Sequence, residues 1–258
     1  MSYDDILYNL ADGVAIITLN RPGELNGMTR QMRGELTHAF TRAETEARAI
    51  LVTGVGEAFC AGDDMGGARN AVDVDLERLT RDELAPLLAA MNASDAPIIC
   101  AVNGPAAGAG ASLALASDVV IAARSATFTQ SLTRVGLMPD LGGAYLLPRQ
   151  AGLPRALGMA LFAEPISAPQ AAEWGLIWEV VDDAGLDARA VELASRLAAG
   201  PTRAYAAIRR SMRRSLSLSL DEHMAEEAQL QGALGQTRDF AEGVAAFIER
   251  RDPEFEGR

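Results

Sequence analysis

The sequence contains no lysine and few residues of several other kinds, and each shortage excludes a class of function. All 23 basic residues are arginine, so no side chain is available to form a Schiff base with a carbonyl substrate. Two cysteines among 258 residues do not make a disulfide framework. Aromatic residues make up only 5% of the chain, so aliphatic side chains and alanine must fill most of the core.

The chain is also short of positive charge, with a formal net charge of −12. An acidic surface repels phosphate backbones, so nucleic acid is not expected as a partner, although clustered arginines could still bind a small anion. Residues 1–10 include acidic but no basic side chains, so no secretory signal is expected. No apolar stretch is both long and free of charge and proline, so we expect no membrane span and a cytoplasmic location.

Apolar residues, at 49% of the chain, follow a pattern of alternating strands and helices. Asp12-Gly13 separates two apolar runs and predicts a β-hairpin, and Thr29 is placed to cap a helix that ends near Ala47. The order of elements predicts an α/β fold with an all-helical tail, and residues 66–80 form either a mobile lid or a short helix. Further strands are predicted at 49–53, 97–102 and 118–122, and further helices at 81–92, 111–116, 153–161, 169–175, 187–199 and beyond 201.

Two segments, 50–64 and 98–115, share one arrangement, in which a strand is followed by a loop of small residues and then a helix. Small residues let a ligand approach the main chain closely, and the start of a helix adds unpaired N–H groups with a positive partial charge. Two such points that face one another could hold one oxyanion. The alternative is close packing, in which Gly104, Gly108 and Gly110 only let a helix approach a strand. Neither segment has the pattern of a dinucleotide site or of a P-loop, which needs a lysine.

The motifs around these segments resemble those of the enoyl-CoA hydratase/isomerase superfamily, also called the crotonase superfamily. They occur in the family's order and span nearly the whole chain, so the set is more specific than any one motif. The matching pieces are Leu-Asn-Arg-Pro at 19–22, Leu-Asn at 25–26, Ala-Phe-Cys-Ala-Gly-Asp-Asp at 58–64, residues 97–104, Ala-Gly-Ala-Gly at 107–110, Ser-Asp-Val at 117–119, residues 136–143, and Ala-Ala-Glu-Trp-Gly-Leu at 171–176.

This resemblance implies a crotonase-like fold, in which repeated ββα units form a superhelix and the C-terminal part is helical. Residues 1–198 would form the core with the coenzyme A site, and residues 199–258 a helical trimerisation region. Family members assemble as trimers or as paired trimers, so a homotrimer or hexamer is expected. The substrate would be an acyl-CoA thioester. Coenzyme A is then part of the substrate, and the resemblance implies no separate cofactor and no metal.

The resemblance also gives roles to particular positions. The backbone N–H groups of Asp63 and Ala109 would hold the thioester oxygen, so an altered side chain there does not abolish the role. The adenine end of coenzyme A would lie near Gly23 to Leu25 and near Ala61. The positions expected to contact coenzyme A or the acyl group are Gly23, Leu25, Ala61, Gly62, Asp64, Met65, Gly108 and Leu132.

Two positions at which family hydratases carry glutamates indicate which reaction this chain can catalyse. They are Ser112 and Leu132 here, and neither replaces a carboxylate that handles water, so hydration is not expected. Asp140 is the remaining acidic candidate, because some family isomerases and a dehalogenase carry a working carboxylate there. The alternative is that Asp140 only caps a helix that begins just after it. The dehalogenase reaction needs a histidine base, and His38 and His223 both lie far from the glycine run in the sequence.

Within the family, the sequence most resembles the isomerases of bacterial phenylacetate breakdown, through residues 102–104, 106–111, 122–126, 136–143 and 173–178. This resemblance implies conversion of ring-1,2-epoxyphenylacetyl-CoA to oxepin-CoA, and a shift of the double bond of a 3-enoyl-CoA to the 2-position. Asp140 would shuttle the proton. Two other interpretations stay open: a 3,2-enoyl-CoA isomerase of fatty-acid oxidation, and a family member without catalytic activity that serves as a binding or assembly subunit.

Several other residues could be given chemical roles but are better explained by packing. Cys60 has no histidine or lysine near it in the sequence to activate it as a nucleophile, so a packing role is predicted. Asp63 and Asp64 could bind a metal together, but no further ligand cluster supports that site. Trp174 and Trp178 are expected in the core or at a subunit contact.

Overall fold

The chain folds around two β-sheets, which the computed structural model describes for residues 3–64 and 74–257. Its first two strands form the predicted hairpin around Asp12 and Gly13. Both turn residues have positive φ, of 51° and 76°, as a tight turn that matches strand twist requires. The strands are β1 (Ile6–Ala11), β2 (Val14–Leu19), β3 (Ala49–Gly54), β4 (Ile98–Val102), β5 (Ala106–Ala107), β6 (Val119–Ala123), β7 (Thr127–Thr129), β8 (Ile166–Ser167) and β9 (Glu179–Val181).

The larger sheet has six strands in the order β1-β2-β3-β4-β6-β9. Only β1 and β2 are antiparallel, and the other neighbours pair in parallel. Strand β4 is buried along its whole length, which explains its continuous apolar sequence. The smaller sheet, ordered β5-β7-β8, places Ala106 and Ala107 of the glycine-rich segment beside β7.

Helices connect and cover these strands, and three of them form most of the C-terminal part. They are α1 (Arg30–Glu46), α2 (Leu76–Leu79), α3 (Ala85–Ala93), α4 (Ala109–Leu115), α5 (Gly143–Ala151), α6 (Leu153–Phe162), α7 (Ala168–Glu173), α8 (Leu186–Ala198), α9 (Thr202–Ser215), α10 (Leu220–Leu234) and α11 (Arg238–Glu249). A π-helical turn at Thr80–Leu84 joins α2 to α3. In the described residues, no helix combines the length and apolarity that crossing a membrane requires.

Helix α1 shows how local sequence sets these elements. The Thr29 hydroxyl accepts a hydrogen bond from the backbone N–H of Met32 at 2.9 Å, which confirms the predicted cap. Met32, Leu36 and Phe40 recur at helical spacing and are all fully buried. The helix therefore covers the core with one face and leaves its other face to solvent.

Helix α9 is fastened to the sheet by ion pairs with Asp118. Arg209 Nε lies 2.6 Å from one carboxylate oxygen of Asp118, and Arg213 Nη2 lies 2.8 Å from the other. The same carboxylate accepts the backbone N–H of Ile98 at 2.7 Å. Asp118 thus links the start of β4 to the first C-terminal helix.

The structure differs from the sequence predictions at a few places. The helix predicted at 81–92 begins earlier, at Leu76, so the last part of segment 66–80 is helical, while residues 66–73 lie outside the described part. The predicted loop of small residues in segment 98–115 contains the short strand β5, because Ala106 and Ala107 pair with β7. Trp174 packs partly buried against the core as predicted. Trp178 does not lie in the core, because its side chain is 72% exposed, and a subunit contact for it stays a prediction.

Candidate active site

The two glycine-containing segments meet where α4 begins. Cys60 and Ala106 form a parallel bridge, and Ala107 donates its N–H to the Cys60 carbonyl at 2.9 Å. A Cβ atom on Gly110 would lie 2.3 Å from that same carbonyl oxygen, so only glycine permits this approach. The close packing that the sequence analysis gave as the alternative is therefore present. It brings the two loops together and does not exclude an oxyanion site between them.

The backbone N–H groups of Asp63 and Ala109 have no acceptor among the hydrogen bonds of the described residues. Met28 donates to the Gly62 carbonyl at 2.7 Å and accepts from Asp64 at 3.1 Å, which leaves the Asp63 amide between them unused. Ala109 is the first residue of α4, and such an amide has no partner within its helix. A Cβ atom on Gly62 would lie 3.5 Å from the Ala109 nitrogen, so the two donors sit on segments in direct contact.

The positions predicted for the adenine end of coenzyme A are also neighbours. Gly23 lies in an exposed 3-10 turn, and Leu25 follows it in the left-handed region with half of its surface exposed. The backbone N–H of Ala61 donates to the Leu25 carbonyl at 3.0 Å. The structure thus joins two segments that are 36 residues apart in the sequence; their contact with coenzyme A stays a prediction.

Asn26 holds this turn in place, a role that the sequence analysis did not assign. Its side-chain oxygen accepts the backbone N–H of Arg21 at 2.8 Å. Its amide donates to the carbonyls of Val55 and Ala58 at 2.9 and 2.8 Å. Because Asn26 is fully buried, these bonds satisfy it and tie the turn to the loop after β3.

Each carboxylate of the Asp63–Asp64 pair faces its own arginine. Arg21 Nη1 lies 2.9 Å from Asp64, and Arg33 Nη1 lies 3.0 Å from Asp63. In the part of the chain that the structure describes, no group of three or more acidic, cysteine or histidine side chains could hold a metal. Met65, the next predicted contact, lies outside the described residues.

The two positions where family hydratases carry glutamates both lie close to Gly108. Leu132 is in a 3-10 turn, and its Cγ atom would be 3.8 Å from a Cβ atom on Gly108. The fully buried Ser112 hydroxyl lies 3.2 Å from the Gly108 carbonyl oxygen and 3.5 Å from Gln130 Nε2. Neither side chain adds a carboxylate to the site.

Asp140 lies in the loop before α5, and its Oδ1 atom is buried with no hydrogen-bond partner among the described residues. Burial and the negative charge of Asp63 raise the pKa of Asp140 to about 7. The helix-capping alternative is wrong, because Gly142 occupies the cap position and no side chain caps α5. Asp140 accepts the N–H of Gly143 at 2.7 Å only through its backbone carbonyl.

A buried arginine connects Asp63 to helix α1, and sequence reasoning missed it. Arg33 donates to the Met28 carbonyl at 2.8 Å and to Asp63 at 3.0 Å, and its Nη2 lies 2.8 Å from Glu83. Burial raises the pKa of Asp63, while the positive charge of Arg33 lowers it. The negative charge of Asp63 acts on Asp140 and raises the pKa of its carboxyl group. The site therefore contains two interacting carboxyl groups and one guanidinium.

Two other candidate groups do not take part in this arrangement. Cys60 is buried, and burial raises the pKa of its thiol to about 12, so a reactive thiolate does not form. His38, on α1, hydrogen-bonds the Tyr3 hydroxyl at 2.8 Å. His223 lies on α10 in the C-terminal part. The buried position of Cys60 agrees with the packing role predicted for it.

A cavity of about 790 Å³ lies elsewhere, between α3, α5 and the C-terminal helices α9 and α10. It is lined by arginines, several of which already pair with acidic side chains. None of the predicted coenzyme A positions lines it. The cavity is therefore distinct from the site built around Asp63, Ala109 and Asp140.

Comparison with known proteins identifies one family. The profile of the Enoyl-CoA hydratase/isomerase family matches residues 9–258. A Rhodobacter capsulatus protein named as a probable enoyl-CoA hydratase is 53% identical over 258 residues, which cover 100% of both chains. The 1,2-epoxyphenylacetyl-CoA isomerase of Escherichia coli is 41% identical over 98% of each chain. The crystal structure of an enoyl-CoA hydratase from Bacillus anthracis matches with a TM-score of 0.91 at 30% identity, covering 99% of this chain and 100% of that one.

Proposed function

The chain belongs to the enoyl-CoA hydratase/isomerase family and has its crotonase fold, and from this premise we propose that it is an isomerase of acyl-CoA thioesters in which Asp140 shuttles the proton. The observation that carries the proposal is the buried, unpartnered Oδ1 atom of Asp140. A carboxyl group whose pKa is about 7 gives up and takes back a proton with similar ease near neutral pH. An isomerisation that relies on a single acid/base group needs both steps from that group.

The proposed reaction of a 3-enoyl-CoA begins when the Asp140 carboxylate removes a proton from the carbon next to the thioester carbonyl. The electron pair of that C–H bond moves toward the carbonyl oxygen, which becomes negative. The Asp63 and Ala109 amides, which have no acceptor among the described residues, would donate to this oxygen. Protonated Asp140 then returns the proton to the fourth carbon, the thioester carbonyl reforms, and the double bond ends at the 2-position.

Hydration is the competing activity, because the Rhodobacter capsulatus relative is named as a probable enoyl-CoA hydratase. Hydration requires a group that activates water as well as one that delivers a proton to carbon. The family's two glutamate positions hold Ser112 and Leu132 here, and the Ser112 hydroxyl is already within hydrogen-bond range of Gly108 and Gln130. An isomerisation, which needs no water, is the reaction that the remaining groups support.

The finer substrate proposal is ring-1,2-epoxyphenylacetyl-CoA, which would be converted to oxepin-CoA. Its support is the likeness to the Escherichia coli protein of that name, together with the motifs that the sequence shares with such isomerases. This reaction is also an isomerisation, so no atom is gained or lost. A 3,2-enoyl-CoA isomerase of fatty-acid oxidation would use the same chemistry on a linear chain, and relative kcat/KM on the two esters distinguishes them.

We also propose a homotrimer or hexamer. Exposed apolar side chains on the C-terminal helices support it, because scattered single residues are normal but contiguous apolar surface favours association. Light scattering after size-exclusion chromatography measures the subunit count. The exposed residues are Ile208, Met212 and Leu216 on and after α9, and Phe240, Val244, Phe247 and Ile248 on α11.

The test of the reaction uses a 3-enoyl-CoA and crotonyl-CoA side by side with the same enzyme preparation. We expect the enzyme to isomerise the 3-enoyl-CoA and to leave crotonyl-CoA unhydrated. Hydration of crotonyl-CoA without isomerisation would overturn the proposal. An idle assembly subunit would catalyse neither reaction, and it would not exchange the protons next to the thioester with deuterium from solvent.

A further inference from the structure

We propose that the cavity between α3, α5, α9 and α10 binds an organic anion that carries a carboxylate at each end of an apolar body. The cavity has a volume of about 790 Å³, which is within the range of sites for small organic molecules. It is distinct from the site around Asp63, Ala109 and Asp140. The proposal therefore goes beyond the proposed isomerisation and does not depend on it.

The first support is the charge of the cavity wall, which is opposite to that of the whole chain. The chain carries a formal net charge of −12, yet six of its 23 arginines line this one cavity. Asp95 is the single acidic residue among the described lining residues. A recess lined by charges of one sign concentrates ions of the opposite sign, so this wall attracts anions. The six arginines are Arg149, Arg203, Arg209, Arg210, Arg213 and Arg214.

Four of these arginines have partners within the chain, so their positions are already fixed. Their partners are Asp118 for Arg209 and Arg213, Glu226 for Arg214, and the ring of Tyr145, whose centre lies 3.5 Å from the guanidinium carbon of Arg149. The acidic partners offset three of the six positive charges. These contacts hold the helices around the cavity and leave the remaining arginines to act on a ligand.

Arg203 and Arg210 are the arginines that are available to a ligand. Both are exposed, and neither side chain makes a hydrogen bond or an ion pair within the described part of the chain. They are seven residues apart on α9, so they lie on the same face of the helix and roughly 10 Å apart along its axis. One guanidinium balances one carboxylate, and this separation therefore fits an anion with a carboxylate at each end.

The surface between these two charges is apolar. Ala206 and Ala207 lie between Arg203 and Arg210 in the sequence of α9, and both line the cavity. An apolar body that covers this surface is favoured because its burial removes apolar area from water, whereas an inorganic anion would leave the surface uncovered. Leucines of three other helices add to it: Leu88 on α3, Leu146 on α5, and Leu230 and Leu234 on α10.

The proposed association of subunits leaves this face of α9 open. Ile208 and Met212, which are exposed apolar residues, lie roughly half a turn around the helix from Arg203 and Arg210. A partner subunit that packs on Ile208 and Met212 therefore approaches the opposite face. Leu216, which follows α9, belongs both to that apolar surface and to the cavity lining.

Isothermal titration calorimetry of the intact protein tests the proposal with three probes of similar length. Suberate has a carboxylate at each end, octanoate has the same number of carbon atoms and one carboxylate, and octyl phosphate has its charge at one end. We expect suberate to bind at least about 10-fold more tightly than octanoate, because it forms a second charged hydrogen-bonded pair. Octanoate or octyl phosphate binding as tightly as suberate would contradict the two-ended arrangement, and no saturable suberate binding would overturn the proposal.

Two variants test whether suberate lies in the cavity. Arg203→Gln and Arg210→Gln each remove one guanidinium from an exposed position, and each should weaken suberate binding by about 10-fold. Circular dichroism checks that both variants are folded. Suberate binding that is unchanged in both variants would place the ligand elsewhere and would overturn the proposal.

Arg196→Gln is the matched control for both variants. Arg196 is an exposed arginine on α8, and it does not belong to the cavity lining. Its variant loses the same charge, and because a distant surface charge is screened by salt, the Kd for suberate should stay within about 2-fold of the wild type. Equal weakening in all three variants would show a general effect of net charge and would contradict the proposal.

Discussion

Arg33 Nη1 lies 3.0 Å from Asp63 Oδ1, and this buried ion pair connects the first long helix to the loop that carries one of the two free backbone N–H groups. The charge of its negative member, Asp63, raises the pKa of Asp140, whose Oδ1 atom has no hydrogen-bond partner in the described chain. The backbone donors, the guanidinium and the two carboxyl groups thus form one connected arrangement, and the predictions below test its parts.

The rate of isomerisation should fall at low pH. Asp140 acts first as a base, so it must be ionised, and its pKa is raised to about 7 by burial and by Asp63. We therefore expect the acid limb of kcat/KM to have a midpoint near pH 7, with activity rising as pH increases through it. A midpoint near pH 4, typical of an exposed aspartate, would contradict this.

Asp140→Asn should make the folded protein more stable at high pH. The folded-state pKa of Asp140 is raised above its unfolded value, from 3.8 to about 7, so folded protein binds more protons than unfolded protein between these values. Stability from this group is present at low pH and is lost as pH rises through 7. The Tm advantage of Asp140→Asn over wild type should be larger at pH 8 than at pH 5, by about 2 °C or more.

The control for that measurement is Asp252→Asn, at an exposed position near the C-terminal end. Its effect on Tm should be the same at both pH values. A Tm difference for Asp140→Asn that does not change with pH would show that Asp140 is not a buried, proton-holding carboxyl group.

Gly110→Ala should damage the site through the backbone. A Cβ atom at this position would lie 2.3 Å from the Cys60 carbonyl oxygen, so α4 must move away from the loop and Ala109 must move with it. We expect a loss of at least about 10²-fold in turnover, as for removal of one oxyanion donor. Gly158→Ala, in α6 with no atom within 4 Å of its Cβ, should keep activity and gain roughly 0.5–1 kcal/mol of stability.

Asp118→Asn should loosen the attachment of the C-terminal helices. It leaves the buried guanidinium of Arg209 without its carboxylate, 2.6 Å away in the wild type, and breaking a buried pair in this way costs roughly 3–5 kcal/mol. Urea denaturation measures the free energy of unfolding. The exposed pair of Arg124 and Asp182 gives the control, and Asp182→Asn should cost less than about 1 kcal/mol.

Local sequence signals predicted much of the fold. The Asp12-Gly13 turn, the Thr29 cap and the buried strand β4 each depend on residues close together in the chain, and each is present. The motif order also predicted the crotonase fold, which the solved structure of the Bacillus anthracis protein confirms. For these features, local conformational preference and the apolar pattern of the sequence are enough to predict the structure.

The connections within the site could not be predicted in the same way. Arg33, Asp63 and Glu83 are separated by 30 and 20 residues, and no periodic pattern indicates that one arginine serves both carboxylates. The buried role of Asn26 depends on a carbonyl group in another loop, and that of Ser112 depends partly on Gln130, which is 18 residues away. The capping alternative for Asp140 is wrong for a local reason: Gly142 adopts positive φ and occupies the cap position itself.

The most direct test of the central claim is the turnover of Asp140→Asn on a 3-enoyl-CoA, with binding of the coenzyme A ester measured on the same preparation. Asparagine keeps the shape of the side chain but cannot carry the proton. We predict a loss on the order of 10²–10⁴-fold in kcat, with the Kd for the ester nearly unchanged. Turnover close to that of the wild type would contradict the assignment of Asp140 as the proton carrier.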